Sequence, residues 1–383
     1  MGEEMKTVCV TAEAFGYGPI ITCVNVIKKV SEKTNISFVF LGSGVALEQA
    51  EMSGLFIDYV ECETYLEEEL KKQEVFRNAE WIISFENIVG AVLGVRENKH
   101  VLYVDNLFWM WDSIPKELNE VDAYFATETM NLDKNIKRIG AQIKRLFRVG
   151  PLRQFYQAEV QKVDNRILIN LGGAESFLED YDTIQSVYSV ILKNFINALK
   201  YSFAGEIVVC GGNRIITELR KMSLDRTVIF KSLANNEYLK ILMTSKYLIM
   251  SPGVGNFYEL MNTDQKAYML PPINYSQFLQ LRAYLKDDVG ISALNWDSFD
   301  WYIEVADYLE EKEGVELVQR NSEQFLQDEE AQKIICYKMV DYINEDGAGN
   351  YSKRRAFIEK CNRNGIQEVS NIIERRINDE NTI

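Results

Sequence analysis

Short, nearly uninterrupted apolar runs alternate along this chain with longer stretches whose apolar positions recur every three or four residues. KTVCVT (Lys6–Thr11) and ISFVFL (Ile36–Leu41) read as strands, with a helix over Pro19–Ser31 between them. FIDYV, EWIISF and HVLYV follow at roughly twenty-residue intervals, with helical sequence such as Tyr65–Asn78 among them. VDAYFAT and LFRVG complete this half. Strand–helix alternation at such spacing predicts βαβ units and a parallel sheet. Open sheets of this kind bind ligands beyond the C-terminal ends of their strands.

The Gly-Pro punctuation of RVGPLRQF (Arg148–Phe155) predicts a linker, with hinge closure near Pro151. A second series begins at RILINLGG (Arg166–Gly173) and continues through a helix over Thr183–Tyr201. EIVVCGGN, TVIFKSL, a helix over Asn236–Thr244, KYLIM and KAYMLPP follow. The expected architecture is therefore α/β: Rossmann-like domains over 1–150 and 151–300, then a helical extension over 301–383. From about Asp297 onward the chain reads as helical throughout.

Composition narrows the partners. A net charge of −15 argues against nucleic acid or an anionic membrane, both of which require clustered Lys and Arg. An anionic small ligand remains possible, because backbone N–H groups can hold it. The six cysteines (Cys9, Cys23, Cys62, Cys210, Cys336, Cys361) are scattered and there is one histidine, so a structural zinc is not expected. Buried thiols, an acidic N-terminus unlike a signal peptide and no apolar run of membrane-spanning length together predict a cytoplasmic protein.

Three strand ends in the second half run into small residues. LINLGGAES places Gly172 and Gly173 there, VVCGGNR places Asn213 and Arg214 after two glycines, and LIMSPGVGN ends on Ser251–Asn256. One such loop is an ordinary turn; three on one rim favour a phosphate-bearing ligand. In SPGVGNFYE the N–H groups of Val254, Gly255 and Asn256 would be free donors at a helix start. The same residues read more simply as a turn capped by Asn256, with Glu259 in the first helical turn offsetting the dipole.

The order strand–SPGVGNFYE–helix–AYMLPPINYSQFLQ resembles the donor-binding half of nucleotide-sugar glycosyltransferases of the GT-B fold, of the peptidoglycan N-acetylglucosaminyltransferase and UDP-glycosyltransferase type. The likeness covers most of Arg166–Leu285 by motif order and the N-terminal half by architecture. It implies that Gly253 and its neighbours contact a diphosphate and that Glu259 binds ribose. It further implies that Gln277 or Gln280 contacts the donor sugar, and that backbone groups of Phe230, Lys231 and Ser232 hold the base. The substrate it implies is a nucleotide-diphosphate sugar, UDP-linked first among the candidates, with no separate cofactor and no metal. The acceptor would be a small molecule, glycan or lipid, and the C-terminal helices (Tyr351–Ile377) would return to the N-terminal domain. A homo-oligomer or a partner subunit stays open.

One departure concerns the base. Many inverting members carry a histidine three residues before the proline of the first loop; in AEAFGYGPII that position is Gly16. His100 begins a strand, the wrong end for catalysis. Carboxylates at strand ends remain: Glu13, Asp105 and Glu86, with Glu13 preferred, although it could instead cap the helix starting near Pro19. Eight residues before Glu259 stands Ser251, where the retaining branch often carries a paired glutamate, so inversion is expected. VDNLFWMWDSIP (Val104–Pro115) follows a strand and reads either as a buried plug or as an acceptor wall. As a wall, it would present Trp109, Trp111 and Asn106, joined by Tyr17. The rival functions are a nucleotide-sugar hydrolase or epimerase of the same fold, and a non-catalytic homologue serving a true transferase.

Overall fold

The structure, a computed structural model, describes residues 7–153, 163–260, 263, 265, 267–345, 356, 359 and 363–378. The chain divides into two compact units, Met1–Gln154 with Lys360–Ile383, and Phe155–Glu359.

The first unit is built on seven parallel strands: β1 (Thr7–Ala12), β2 (Ser37–Gly42), β3 (Asp58–Glu61), β4 (Trp81–Phe85), β5 (His100–Asp105), β6 (Ala123–Thr127) and β7 (Leu146–Val149). Their order is β3-β2-β1-β4-β5-β6-β7. The strands read as continuous apolar runs because both faces are covered: every residue of β2, β4 and β6 is buried. Helix α1 (Gly18–Ser31) carries Pro19 in its first turn, where the missing N–H has no helical partner to lose. The predicted helix over Tyr65–Asn78 is two, α3 (Glu67–Lys72) and α4 (Glu74–Asn78), because Gln73 is extended. Helices α2 (Gly44–Ser53), α5 (Ile88–Arg96) and α6 (Leu132–Ile139) cover the crossovers after β2, β4 and β6, and a short 3-10 turn, Lys116–Glu120, lies in the one after β5.

The second unit repeats the plan with six parallel strands in the order β10-β9-β8-β11-β12-β13. They are β8 (Val163–Asn170), β9 (Glu206–Cys210), β10 (Ile229–Lys231), β11 (Ser245–Met250), β12 (Ala267–Met269) and β13 (Ile291–Ala293). Between and after them come α7 (Tyr181–Ala198), α8 (Asn213–Leu219), α9 (Asn235–Thr244), α10 (Val254–Leu260), α11 (Tyr275–Asp287), α12 (Glu311–Gln327) and α13 (Glu329–Asn344). Leu168, Val208, Leu248, Met250 and Met269 pack with Leu242, Leu260 and Leu281 into its core.

The segment read as a helical extension over 301–383 is shared out: α12 and α13 pack on α7, while α14 (Gly365–Asn378) belongs to the first unit. Helicity is also not continuous from Asp297. Residues 299–310 are irregular and are held by side chains, Asn321 pairing with both backbone groups of Ile303 (2.8 and 2.9 Å). In α14, Ile366, Val369, Ile373 and Ile377 enter the core that Ile20, Cys23, Val26 and Val30 of α1 line. Its start presses on the end of β7, where a Cβ at Gly150 would lie 2.6 Å from the Arg363 carbonyl. The Gly-Pro stretch read as a linker belongs partly here. Leu152 is buried in the first core, and Arg153 donates to Thr22 Oγ1 at 2.9 Å; Gln154 and Phe155 lie outside the described residues, as does Cys361.

Candidate active site

In each sheet the strand order reverses beside the first strand, between β1 and β4 and between β8 and β11. Such switch points open a crevice at the C-terminal strand ends, where α/β sheets bind ligands.

At the first switch point stands Glu13, directly after β1, its N–H donating to the Phe85 carbonyl at the end of β4 (3.0 Å). Its side chain is 8% exposed and does not cap α1, whose N-cap is Tyr17. Instead Oε2 accepts from Asn87 Nδ2 at 2.7 Å and Oε1 from the Ala14 N–H at 3.2 Å. Burial, aided by nearby Glu63, pushes the carboxyl up to about 7 against those two bonds. A carboxyl titrating there can accept a proton at neutral pH.

Asp105, the other predicted catalytic acid, is built differently. It is fully buried, its Oδ1 takes the Leu107 N–H (2.7 Å), and its Oδ2 takes Trp111 Nε1 (3.0 Å) and the Tyr124 hydroxyl (2.5 Å). Burial raises it to about 6. With both oxygens engaged, it folds the following loop inward. That explains the aromatic segment: Phe108, Trp109 and Met110 are buried, and Trp111 is turned back onto Asp105, so this stretch is a plug rather than an open wall. Asn106 is likewise 7% exposed, donating to Thr22 Oγ1 (3.0 Å) and to Glu86 Oε1. Tyr17 is half-buried at the head of α1. His100 stacks on Trp81, ring centroids 4.4 Å apart, at the opposite end of its strand.

The second switch point is held by Asn170, the last residue of β8. Its Nδ2 donates to Asn256 Oδ1 (3.0 Å) and to the Tyr238 hydroxyl (2.9 Å), and its Oδ1 accepts from the Gly172 N–H (2.9 Å). Asn256 in turn donates to the Ser251 carbonyl (2.7 Å) and Oγ (3.1 Å). One amide thus ties together the loops after β8 and β11. Gly172 has φ +68° and a Cβ there would sit 3.0 Å from Ser251 Oγ, so conformation and space both call for glycine. The Gly172 carbonyl accepts from Gly212 N–H (3.0 Å), bringing in the loop after β9. The three small-residue loops do converge on one rim.

The turn Gly253–Asn256 is half-exposed, and the first helical bond of α10 runs from Phe257 N–H to the Gly253 carbonyl (3.0 Å). The N–H groups of Val254, Gly255 and Asn256 lie ahead of it. Two details of the simpler reading differ. Asn256 is inside the helix rather than its cap, and Glu259 is the sixth helical residue, beyond the first turn. Glu259 is 7% exposed and bonded by the Tyr238 hydroxyl.

The alignment with the S. aureus MnaA structure solved with UDP spans 98% of this chain and 97% of that one, at 12% identity and a TM-score of 0.52. The chain has the GT-B fold. Acinetobacter baumannii MurG also aligns (10% identity, 97% and 99% coverage, TM-score 0.46), as does Arabidopsis thaliana UGT89C1 with quercetin (9%, 94% and 100%, 0.46). No family model and no curated protein matches the sequence.

The remaining predicted donor-half residues of this GT-B chain fall into two groups. Gly173 is buried beside Gly172, whereas Asn213 and Arg214 open α8 on the exposed side. The Arg214 guanidinium lies 3.6 Å over the Tyr181 ring and 3.8 Å from Glu175, steadying the loop before α7. Phe230, Lys231 and Ser232 leave the edge strand β10, with the Phe230 carbonyl taken by Arg220 (2.7 Å) and that of Lys231 by the Gly211 N–H (3.4 Å). Gln277 Oε1 accepts from the Ile273 N–H (3.1 Å), so it braces the loop after β12. Gln280 is 6% exposed, on the inner face of α11. Two organising residues were missed, Asn87 and Asn170. The only sequence signal for either is a polar residue at the end of an apolar run. Among the described residues no three His, Cys, Asp or Glu side chains group as a metal site would need, and no helix is long and apolar enough to cross a membrane.

Proposed function

We propose that this protein is an inverting, metal-independent glycosyltransferase taking its sugar from a nucleotide-diphosphate donor, UDP-linked first among the candidates. The observation that carries the reading is the second switch point. There Asn170 holds the Gly172 loop and the Ser251–Asn256 turn together on the rim of a GT-B domain. On this reading the diphosphate meets the N–H groups of Val254, Gly255 and Asn256, Glu259 serves the ribose, and residues 230–232 line the base. An acceptor hydroxyl gives its proton to Glu13 as its oxygen attacks the anomeric carbon. The bond to the diphosphate breaks, and the nucleotide leaves with the electron pair, its charge met by backbone donors. The acceptor is a small molecule, glycan or lipid.

A second reading, hydrolysis or epimerisation of the same donor, is favoured by one feature. The aromatic stretch proposed as an acceptor wall is folded into the domain core.

The test is binding, then product. UDP at a hundred times its dissociation constant stabilises the fold by about 2.7 kcal/mol, visible as a raised melting temperature. No shift with UDP, GDP, TDP or CDP overturns both readings. Free sugar released without acceptor supports the hydrolase, an isomerised nucleotide sugar the epimerase, and acceptor-dependent UDP release the transferase.

A further inference from the structure

The first switch point contains a second polar side chain, and one of its three polar contacts holds Glu13. Asn87 follows β4 and is fully buried. Its Nδ2 donates to Glu13 Oε2 (2.7 Å) and to the Thr64 carbonyl (3.1 Å), while its Oδ1 accepts from the Gly90 N–H (2.9 Å) as the N-cap of α5. Its own carbonyl accepts from Ser84 Oγ (2.6 Å), which in turn takes the Thr11 hydroxyl (3.1 Å). Three elements therefore fix one amide: the end of β4, the start of α5 and the β3–α3 connection. A Cβ at Gly90 would strike Asn87 Oδ1, so the glycine keeps the place open.

We infer that Asn87 is the positioning residue of Glu13: it clamps one carboxylate oxygen and leaves the carboxyl a single orientation. The inference rests on Glu13 being the base. An amide suits this task because it donates without titrating, so the proton taken at Glu13 stays at Glu13. The orientation follows from the cap, since Oδ1 is committed to Gly90 and only Nδ2 can face the carboxylate. The titratable groups facing Glu13 are Glu63, which raises its pKa, and Tyr65, both on the β3–α3 connection.

The experiment follows the Glu13 side-chain carbon by NMR in full-length protein labelled with 13C-glutamate, the signal assigned by its loss in Glu13→Gln. Asn87→Asp keeps an oxygen for the Gly90 cap but puts a second carboxyl against Glu13. The Glu13 midpoint should then rise by about one pH unit or more. Asn87→Ala removes the donor to the ionised form and should raise it by a smaller amount. A midpoint unchanged in both variants overturns the inference. The acid limb of donor turnover should move upward with the midpoint. If the midpoint moves as expected while Glu13→Gln keeps full turnover, the base assignment fails and the clamp stands.

Discussion

The two switch points share a topology and differ in what they are made of. At the first, between β1 and β4, the working groups are side chains, an acid and the amide that clamps it: Glu13 and Asn87. At the second, between β8 and β11, the rim is glycine, serine and backbone N–H tied together by the Asn170 and Asn256 amides, and its carboxylate, Glu259, is bonded by the Tyr238 hydroxyl. One crevice is suited to moving a proton and the other to receiving a charge already present. A doubly wound sheet fixes where a ligand sits, and the few residues after each strand decide what is done to it.

The contrast can be broken first by removing the support of one unit. Ile373 is fully buried where α14 meets α1. Ile373→Asp should cost about 4 kcal/mol, a buried unpaired charge being among the worst single changes. A melting curve followed separately by a probe in each unit should show the first unit lost at lower temperature; coincident unaltered transitions would contradict the assignment of α14.

The second test sets titrating against non-titrating. Glu13 is protonated up to about 7 in the folded chain and ionises near the ordinary carboxylate value when unfolded. Between these values the unfolded state binds fewer protons, so stability falls as pH rises. The loss amounts to about 3 kcal/mol above pH 7. Glu13→Gln should therefore be more stable than the parent at pH 8 and lose that advantage at pH 5, read by urea unfolding at both. A difference independent of pH would mean Glu13 is not a buried acid.

The smallest effect belongs to the backbone-built rim. Gly172→Ala should cost about 1–2 kcal/mol from its positive φ and the crowded Ser251 hydroxyl. It should weaken UDP binding without altering any pH profile. A shifted pH profile would show that the two rims are not chemically separate.

Much of the scaffold was legible because parallel strands covered on both faces read as unbroken apolar runs. β13 was not: its three residues, Ile291–Ala293, are only half-buried, too short to stand out. Glu13 was visible as an acid at a strand end, but Asn87 was not, because its meaning depends on β4 lying beside β1, a non-local pairing. The aromatic loop stayed open between plug and wall for the same reason. Nothing in VDNLFWMW announces that Asp105 will be buried under it and bonded by Tyr124 from the next strand.

Helix α14 gives the molecule an order of assembly. The residues that finish the first core are translated after the whole second unit, so on the ribosome the N-terminal sheet waits with the α1 face bare. The second unit is continuous in sequence and has all its parts as soon as it emerges. Domains ordinarily fold in the order they are made; here the domain begun first is completed last. The nascent chain meanwhile carries an apolar stripe of Ile20, Cys23, Val26 and Val30 that a chaperone, or a neighbouring nascent chain, can find before its own helix does.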